Sequence, residues 1–100
     1  MTSFDRREEA FEAKFAHDEE RAFKARVRAL RMLALWAAEK RGETGNAAED
    51  YARALIEADL RTPDAAFKQL VVDLAAHGVD PRQIREKRDA LFAIAQGVSA

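Results

Sequence analysis

The chain has 100 residues and a formal net charge of −1 at pH 7, which is the length of one domain and argues against binding nucleic acid or membrane by charge alone. Cysteine is absent, which excludes disulfide scaffolds and Cys-ligated zinc sites. No apolar run approaches the roughly 18 residues of a membrane span, and the first residues lack an apolar signal core, so we expect a cytoplasmic protein. Alanine is abundant and β-branched residues are few, which favours an all-α fold.

Charge is distributed unevenly along the chain. Residues 1–20 carry three basic and seven acidic side chains, whereas residues 21–41 carry seven basic and one acidic side chain. The change of sign predicts a boundary near residue 20.

The first 41 residues have a helical pattern with two different apolar directions. At 100° per residue, Phe4, Phe11 and Phe15 point within about 40° of one another, and Phe23 and Val27 point elsewhere. Burying three phenylalanines is worth roughly 5–9 kcal/mol, whereas ordering about 15 residues costs on the order of 15–30 kcal/mol. We therefore predict a mobile N-terminal segment over residues 1–17, partly helical or disordered, and a bundle domain over residues 18–100 that begins with a helix over about 19–41.

Capping signals mark where the later helices begin. They are Asn46 three residues before Glu49, Thr62 before Pro63, and Asp80 before Pro81 with Gln83 three residues beyond it. The Gly-Glu-Thr-Gly run over residues 42–45 resembles a phosphate-clamping loop, but we interpret it as a helix–helix connection because no sheet accompanies it. The remaining helices are predicted over about 47–60, 63–77 and 81–96.

Each predicted helix has one apolar stripe, so each must pack against the others. The stripes consist of Tyr51, Leu55 and Ile56 in the second helix, Phe67, Leu70, Val71 and Leu74 in the third, and Ile84, Leu91, Ile94 and Val98 in the fourth. The two histidines, His17 and His77, are far apart in sequence, and neither has the partners that a metal site or a catalytic site needs. We expect no enzyme activity and no metal, and we interpret Asp73 and His77 as a surface ion pair.

Two surfaces have the pattern of binding sites. A basic stripe in the first bundle helix consists of Arg21, Lys24, Arg28 and Arg31. The stripe is either a solvated face or a contact for an anionic partner or a phosphate-bearing ligand. The Phe4, Phe11 and Phe15 stripe either folds back onto the bundle or acts as a helix that docks into a groove. We favour docking because charge and direction separate this segment from the bundle.

The N-terminal residues resemble the zeta-subunit family, small inhibitors of bacterial F-type ATP synthases. The resemblance is carried by Phe4-Asp5, by Arg7-Glu8, by the run Phe-Glu-Ala-Lys-Phe-Ala-His-Asp-Glu-Glu over residues 11–20, and by Leu-Ala-Leu-Trp-Ala-Ala over residues 33–38. Further along, Tyr51-Ala52 and Ala58-Asp59 continue it. The resemblance implies a four-helix bundle with a mobile N-terminal inhibitory segment.

The resemblance implies that the N-terminal segment inserts at a catalytic α/β interface beside the central γ rotor and blocks ATP hydrolysis. The implied partner-binding residues are Phe4, Asp5, Arg7, Glu8, Phe11, Glu12, Lys14, Phe15, His17 and Asp18. The implied partners are the α, β and γ subunits of the catalytic head, which would hold the protein near the inner membrane without inserting it. The family resemblance also implies weak ATP or ADP binding, with the basic stripe as the contact, although we expect no resident cofactor.

Two other functions stay open from the sequence. The basic stripe is compatible with a small helical module that binds nucleic acid, and the phenylalanine stripe with an adaptor that binds another protein. We expect no nucleic acid as a partner, and we expect the free protein to be monomeric.

Overall fold

A computed structural model describes the backbone of residues 2–97 and the side chains of residues 16–97. This part of the chain forms four helices and no strand: α1 (Thr2–Lys40), α2 (Gly45–Arg61), α3 (Ala65–Ala75) and α4 (Pro81–Ala95). The prediction of an all-α bundle of four helices is therefore confirmed. Within the same residues, none of the helices combines the length and the apolar character that crossing a membrane requires.

Helix α1 begins at Thr2, whereas the sequence pattern predicted a start near residue 19. The sequence has no glycine or proline between Thr2 and Lys40, and alanines recur along it, so nothing local interrupts the helix. The apolar side chains move to a different face of the helix near residue 17, but the backbone stays helical there. At 1.5 Å per residue the helix is about 58 Å long, close to the 64 Å long axis of the molecule. The division at residue 17 stays a prediction.

The core lies where α1 packs against α2 and α4, and α3 closes it from the side of α2 and α4. Leu33 from α1, Leu70 and Leu74 from α3 and Ile84 from α4 are fully buried. Helix α1 presents mainly alanines to its neighbours, and small side chains let helix backbones approach closely. The large buried side chains are therefore mainly leucines, with Ile84, set among alanines.

The predicted apolar stripes identify the core positions but include two exposed residues. Leu55, Leu70 and Ile84 are buried as predicted, whereas Phe23 is 52% exposed and Ile94 is 63% exposed. Periodicity predicts which face of a helix is apolar, but it does not predict how much of that face a neighbouring helix covers. The prediction for Val98 lies outside the described residues.

One of the three predicted helix starts is confirmed in detail. Asp80 accepts a hydrogen bond from the backbone N–H of Gln83 at 2.9 Å, and the Gln83 side chain accepts one from the Asp80 N–H at 2.9 Å. The predicted cap at Asn46 is wrong, because α2 begins at Gly45 and Asn46 lies inside its first turn. Thr44 occupies the cap position and makes no side-chain capping hydrogen bond.

The predicted start of α3 at Pro63 is also wrong. Asp64 has a φ of 63°, in the left-handed region, so the chain makes a turn there and α3 begins at Ala65. A right-handed helix cannot continue through a residue in the left-handed conformation, even when a proline that favours a helix start precedes that residue. The side chain that caps α3 comes from elsewhere in the chain, as described below.

Candidate functional site

Helix α1 leaves the bundle at Ala25. The side chains of residues 16–24 are all solvent-exposed, and Ala25 is the first buried residue along the described part of the helix. Upstream of Ala25 the described side chains are not buried by the other helices. This projecting part of α1, residues 16–24, and the turns that follow it carry most of the predicted binding residues that the structure describes.

The four members of the predicted basic stripe are all exposed along one side of α1. Two of them contact side chains one turn earlier: Lys24 pairs with Glu20 at 2.9 Å, and Arg21 donates a hydrogen bond to Nε2 of His17 at 3.1 Å. The hydrogen bond and charge of Lys24 lower the pKa of Glu20. Exposed pairs of this kind contribute little to stability, so both cations can exchange to a partner's carboxylates.

Beside the stripe, α1 has a shallow hollow of about 280 Å³. Its lining consists of Phe23, Lys24, Val27, Arg28 and Arg31. Arg31 reaches across to α2 and pairs with Glu49 at 2.8 Å. An exposed aromatic ring thus lies beside three cations on α1, an arrangement that periodicity alone did not predict.

An ion pair that the sequence did not reveal lies at the point where α1 leaves the bundle. Arg26 pairs with Asp59 at 2.7 Å, and Asp59 is a buried charged residue, with 7% exposure. The other carboxylate oxygen of Asp59 accepts the backbone N–H of Ala66 at 3.1 Å. Asp59 therefore joins α1, α2 and the first turn of α3. Residues 26 and 59 are too far apart in sequence for a local pattern to connect them.

A cavity of about 460 Å³ opens beside this ion pair. Phe67 and Phe92 form apolar walls, and the charged lining combines Arg26 and Arg88 with Asp59, Asp64 and Asp89. The Arg88 guanidinium lies 5.0 Å from the centre of the Phe67 ring, and its Nε contacts Asp89 at 3.2 Å. Within residues 16–97 no group of three or more histidine, aspartate or glutamate side chains is placed to hold a metal ion.

Tyr51 also connects α2 to α3. Its hydroxyl donates to Asp73 at 2.6 Å, and Gln69 donates to the other carboxylate oxygen of Asp73 at 2.8 Å. Burial and the hydrogen bond to Asp73 raise the pKa of Tyr51, although the Arg41 guanidinium 4.1 Å from the ring centre opposes the shift. Asp73 thus contacts Tyr51 and Gln69, whereas the sequence had suggested His77 as its partner.

The side chains of most of the predicted inhibitory segment lie outside the described residues. These are Phe4, Asp5, Arg7, Glu8, Phe11, Glu12, Lys14 and Phe15. Their backbone belongs to α1. His17 and Asp18, the last two members of the set, are described and are exposed.

These features define an all-α protein in which a long first helix extends beyond a small bundle. A family model described as ATPase inhibitor subunit zeta matches residues 1–97. The chain therefore belongs to the ATPase inhibitor subunit zeta family, which confirms the resemblance seen in the sequence. Neither the comparison with curated proteins nor that with solved structures found a match.

Membership of this family assigns the chain an inhibitory role at the ATP synthase. The protein is thus a regulatory subunit, and its partner is the synthase.

Proposed function

We propose that the protein inhibits ATP hydrolysis by inserting residues 1–17 of α1 at a catalytic α/β interface of the synthase head, next to the γ rotor. The main support is that α1 is continuous from Thr2 to Lys40 while its side chains from residue 16 to residue 24 stay exposed. The helix therefore extends beyond the bundle, in a form that can enter a cleft.

A protein that blocks rotation by insertion needs no catalytic group. It needs a helix with apolar anchors and charges of both signs, because the walls of a protein cleft supply complementary groups. The predicted anchors are Phe4, Phe11 and Phe15. If the cleft exists in one rotary state only, the inhibitor selects that state by its higher affinity for it. We propose that this takes place in the cytoplasm, at the head of a membrane-bound synthase.

The direct test measures ATP hydrolysis by the isolated catalytic head with the full chain and with a variant that carries Phe4→Ala, Phe11→Ala and Phe15→Ala. Alanine keeps helix propensity, so the change removes the anchors and leaves the helix intact. Glu9→Ala, which lies outside the predicted set, is the matched control. We expect inhibition by the wild type and the control and its loss in the triple variant. Full inhibition by the triple variant would contradict the proposal.

The subunits at the site can be identified because the chain has no cysteine. A single Phe11→Cys substitution accepts a photo-crosslinker at one position. We expect crosslinks to the α, β or γ subunits of the head, identified by mass spectrometry. Crosslinks confined to other subunits would refute the proposed interface.

We also propose that ATP or ADP binds weakly to the bundle through the basic stripe. Arg21 and Arg28 line a groove of about 310 Å³ between α1 and the end of α4. Guanidinium groups suit phosphate recognition because their donors match its oxygens in pairs. Calorimetric titration with ATP and ADP tests this, and Arg28→Gln is expected to abolish the heat of binding.

A further inference from the structure

The hollow around Phe23 has the chemistry of a docking surface. Phe23 is 52% exposed, and Val27, one turn later, is only partly buried. Burying apolar surface is favourable, so a large aromatic side chain left half in water on a regular helix gains from any apolar surface that covers it. Scattered exposed apolar residues are common, but this one lies in a hollow with an apolar neighbour and three cations.

The charges around the hollow specify the chemistry of the partner. Lys24, Arg28 and Arg31 line the hollow on one side of Phe23 and Val27, and no acidic residue lines it. Lys24 and Arg31 pair with Glu20 and Glu49, but both pairs are largely exposed. Among the ion pairs of the described residues, none involves Arg28. A complementary surface is therefore apolar where it meets Phe23 and Val27 and acidic where it meets the cations beside them.

The position of the hollow on α1 identifies where that partner surface lies. Residue 17 and Phe23 are six residues apart on one uninterrupted helix, which is about 9 Å along the axis. When residues 1–17 occupy a cleft, Phe23 lies at its mouth and faces the rim. The partner surface must then belong to the protein that forms the cleft.

A second copy of the chain does not fit the hollow equally well. Stable protein interfaces bury about 800 Å² on each partner. Phe23 and Val27 are two side chains, and the cations beside them would face the same cations of a symmetric copy. The catalytic head is the better occupant because it offers a large surface and already binds the same helix.

We propose that Phe23 and Val27, with Lys24, Arg28 and Arg31 on one side of them, form a second docking surface. It binds a patch of the synthase head at the mouth of the inhibitory cleft, and that patch is apolar with acidic groups along one side. The proposal rests on the proposed function. The inserted segment would block rotation, and the second surface would hold the bundle against the head and slow dissociation.

The test compares the full chain with Phe23→Ala, Phe23→Glu and Arg28→Glu in the inhibition of the isolated catalytic head. Val72→Ala is the matched control, because Val72 is 69% exposed and lies on α3. We expect Phe23→Ala to weaken inhibition on the order of 5-fold, chiefly through faster dissociation, since half of the ring remains to be buried. Phe23→Glu and Arg28→Glu should weaken it on the order of 10-fold or more. The control should leave it unchanged.

Circular dichroism must show that the variants keep their helices and melting temperature, which is expected because the ring is half exposed. Inhibition by all Phe23 and Arg28 variants equal to that of the wild type would overturn this inference and leave the proposed function intact. Absence of inhibition by the wild type would instead refute the proposed function. A photo-crosslinker introduced by Phe23→Cys should label α or β, and labelling of only a second copy or of nucleic acid would also overturn the inference.

Discussion

Replacing Asp59 tests how the bundle holds α1 and α3 together. Its carboxylate accepts from the buried backbone N–H of Ala66 at 3.1 Å and pairs with Arg26 at 2.7 Å. Asp59→Ala removes both interactions. Asp59→Asn removes the charge but leaves a carbonyl oxygen in place to cap Ala66. The two substitutions therefore separate the cap from the ion pair.

The cap should account for most of the effect. A buried N–H without an acceptor costs about 1–3 kcal/mol. The Arg26 side chain is 44% exposed, so water screens the ion pair and its contribution is about 0–1 kcal/mol. We expect Asp59→Ala to lower the free energy of unfolding by about 2–3 kcal/mol, and Asp59→Asn by about 1 kcal/mol. At about 4–8 °C per kcal/mol, the alanine variant should melt on the order of 10–20 °C lower.

Urea unfolding followed by circular dichroism and by the fluorescence of Trp36, the single tryptophan, measures both values. The argument requires the asparagine variant to be clearly more stable than the alanine variant. Equal losses in the two variants would show that charge, and not capping, determines the stability at this position. If both variants lose less than about 0.5 kcal/mol of unfolding free energy, the contacts of Asp59 with α1 and α3 contribute no more than an ordinary surface residue does.

Three further substitutions test other parts of the structure. The raised pKa of Tyr51 means that its contribution to stability is fully present below about pH 10 and is lost as the pH rises further. The free energy of unfolding measured in urea should therefore decline above pH 10, and Tyr51→Phe should reduce that decline. The absorbance of the single tyrosine should show deprotonation only at a pH above the ordinary tyrosine range. Asp80→Ala removes the capping box of α4 and should cost about 1 kcal/mol, measured by urea unfolding. Leu70→Ala, at a fully buried position, should cost about 2–5 kcal/mol by the same measurement. A loss below 1 kcal/mol there would contradict its place in the core.

Local patterns predicted the features of this fold that depend on neighbours in sequence. The Asp80 capping box is an example, because both of its hydrogen bonds span three residues. The four helices follow from periodicity, and the exposure of the basic stripe follows from its position opposite the apolar face. The same reasoning placed the start of α3 at Pro63, because it had no means of detecting the left-handed Asp64 that follows.

Features that depend on tertiary contacts were not predictable. The link between Arg26 and Asp59 joins residues 33 apart, and Asp59 caps a helix that begins six residues after it. Phe23 belongs to an apolar stripe by spacing, yet it is exposed because the bundle covers α1 only from Ala25 onward. The sequence therefore predicts a site on α1, whereas the described structure gives its position relative to the bundle and adds the hollow beside it.

The exposed part of α1 has consequences for affinity. Upstream of Ala25 the described side chains gain no core burial, and pairs one turn apart contribute only about 0.2–0.5 kcal/mol each. A partner that covers the helix must therefore supply most of its stabilisation, and helix propensity there should affect inhibition directly. Ala22→Gly lowers propensity by about 1 kcal/mol, so inhibition of the head should weaken about 5-fold while bundle stability stays unchanged. Ala90→Gly, an exposed position in α4, should show the reverse, with lower stability and unchanged inhibition. Equal inhibition by the two variants would contradict this coupling.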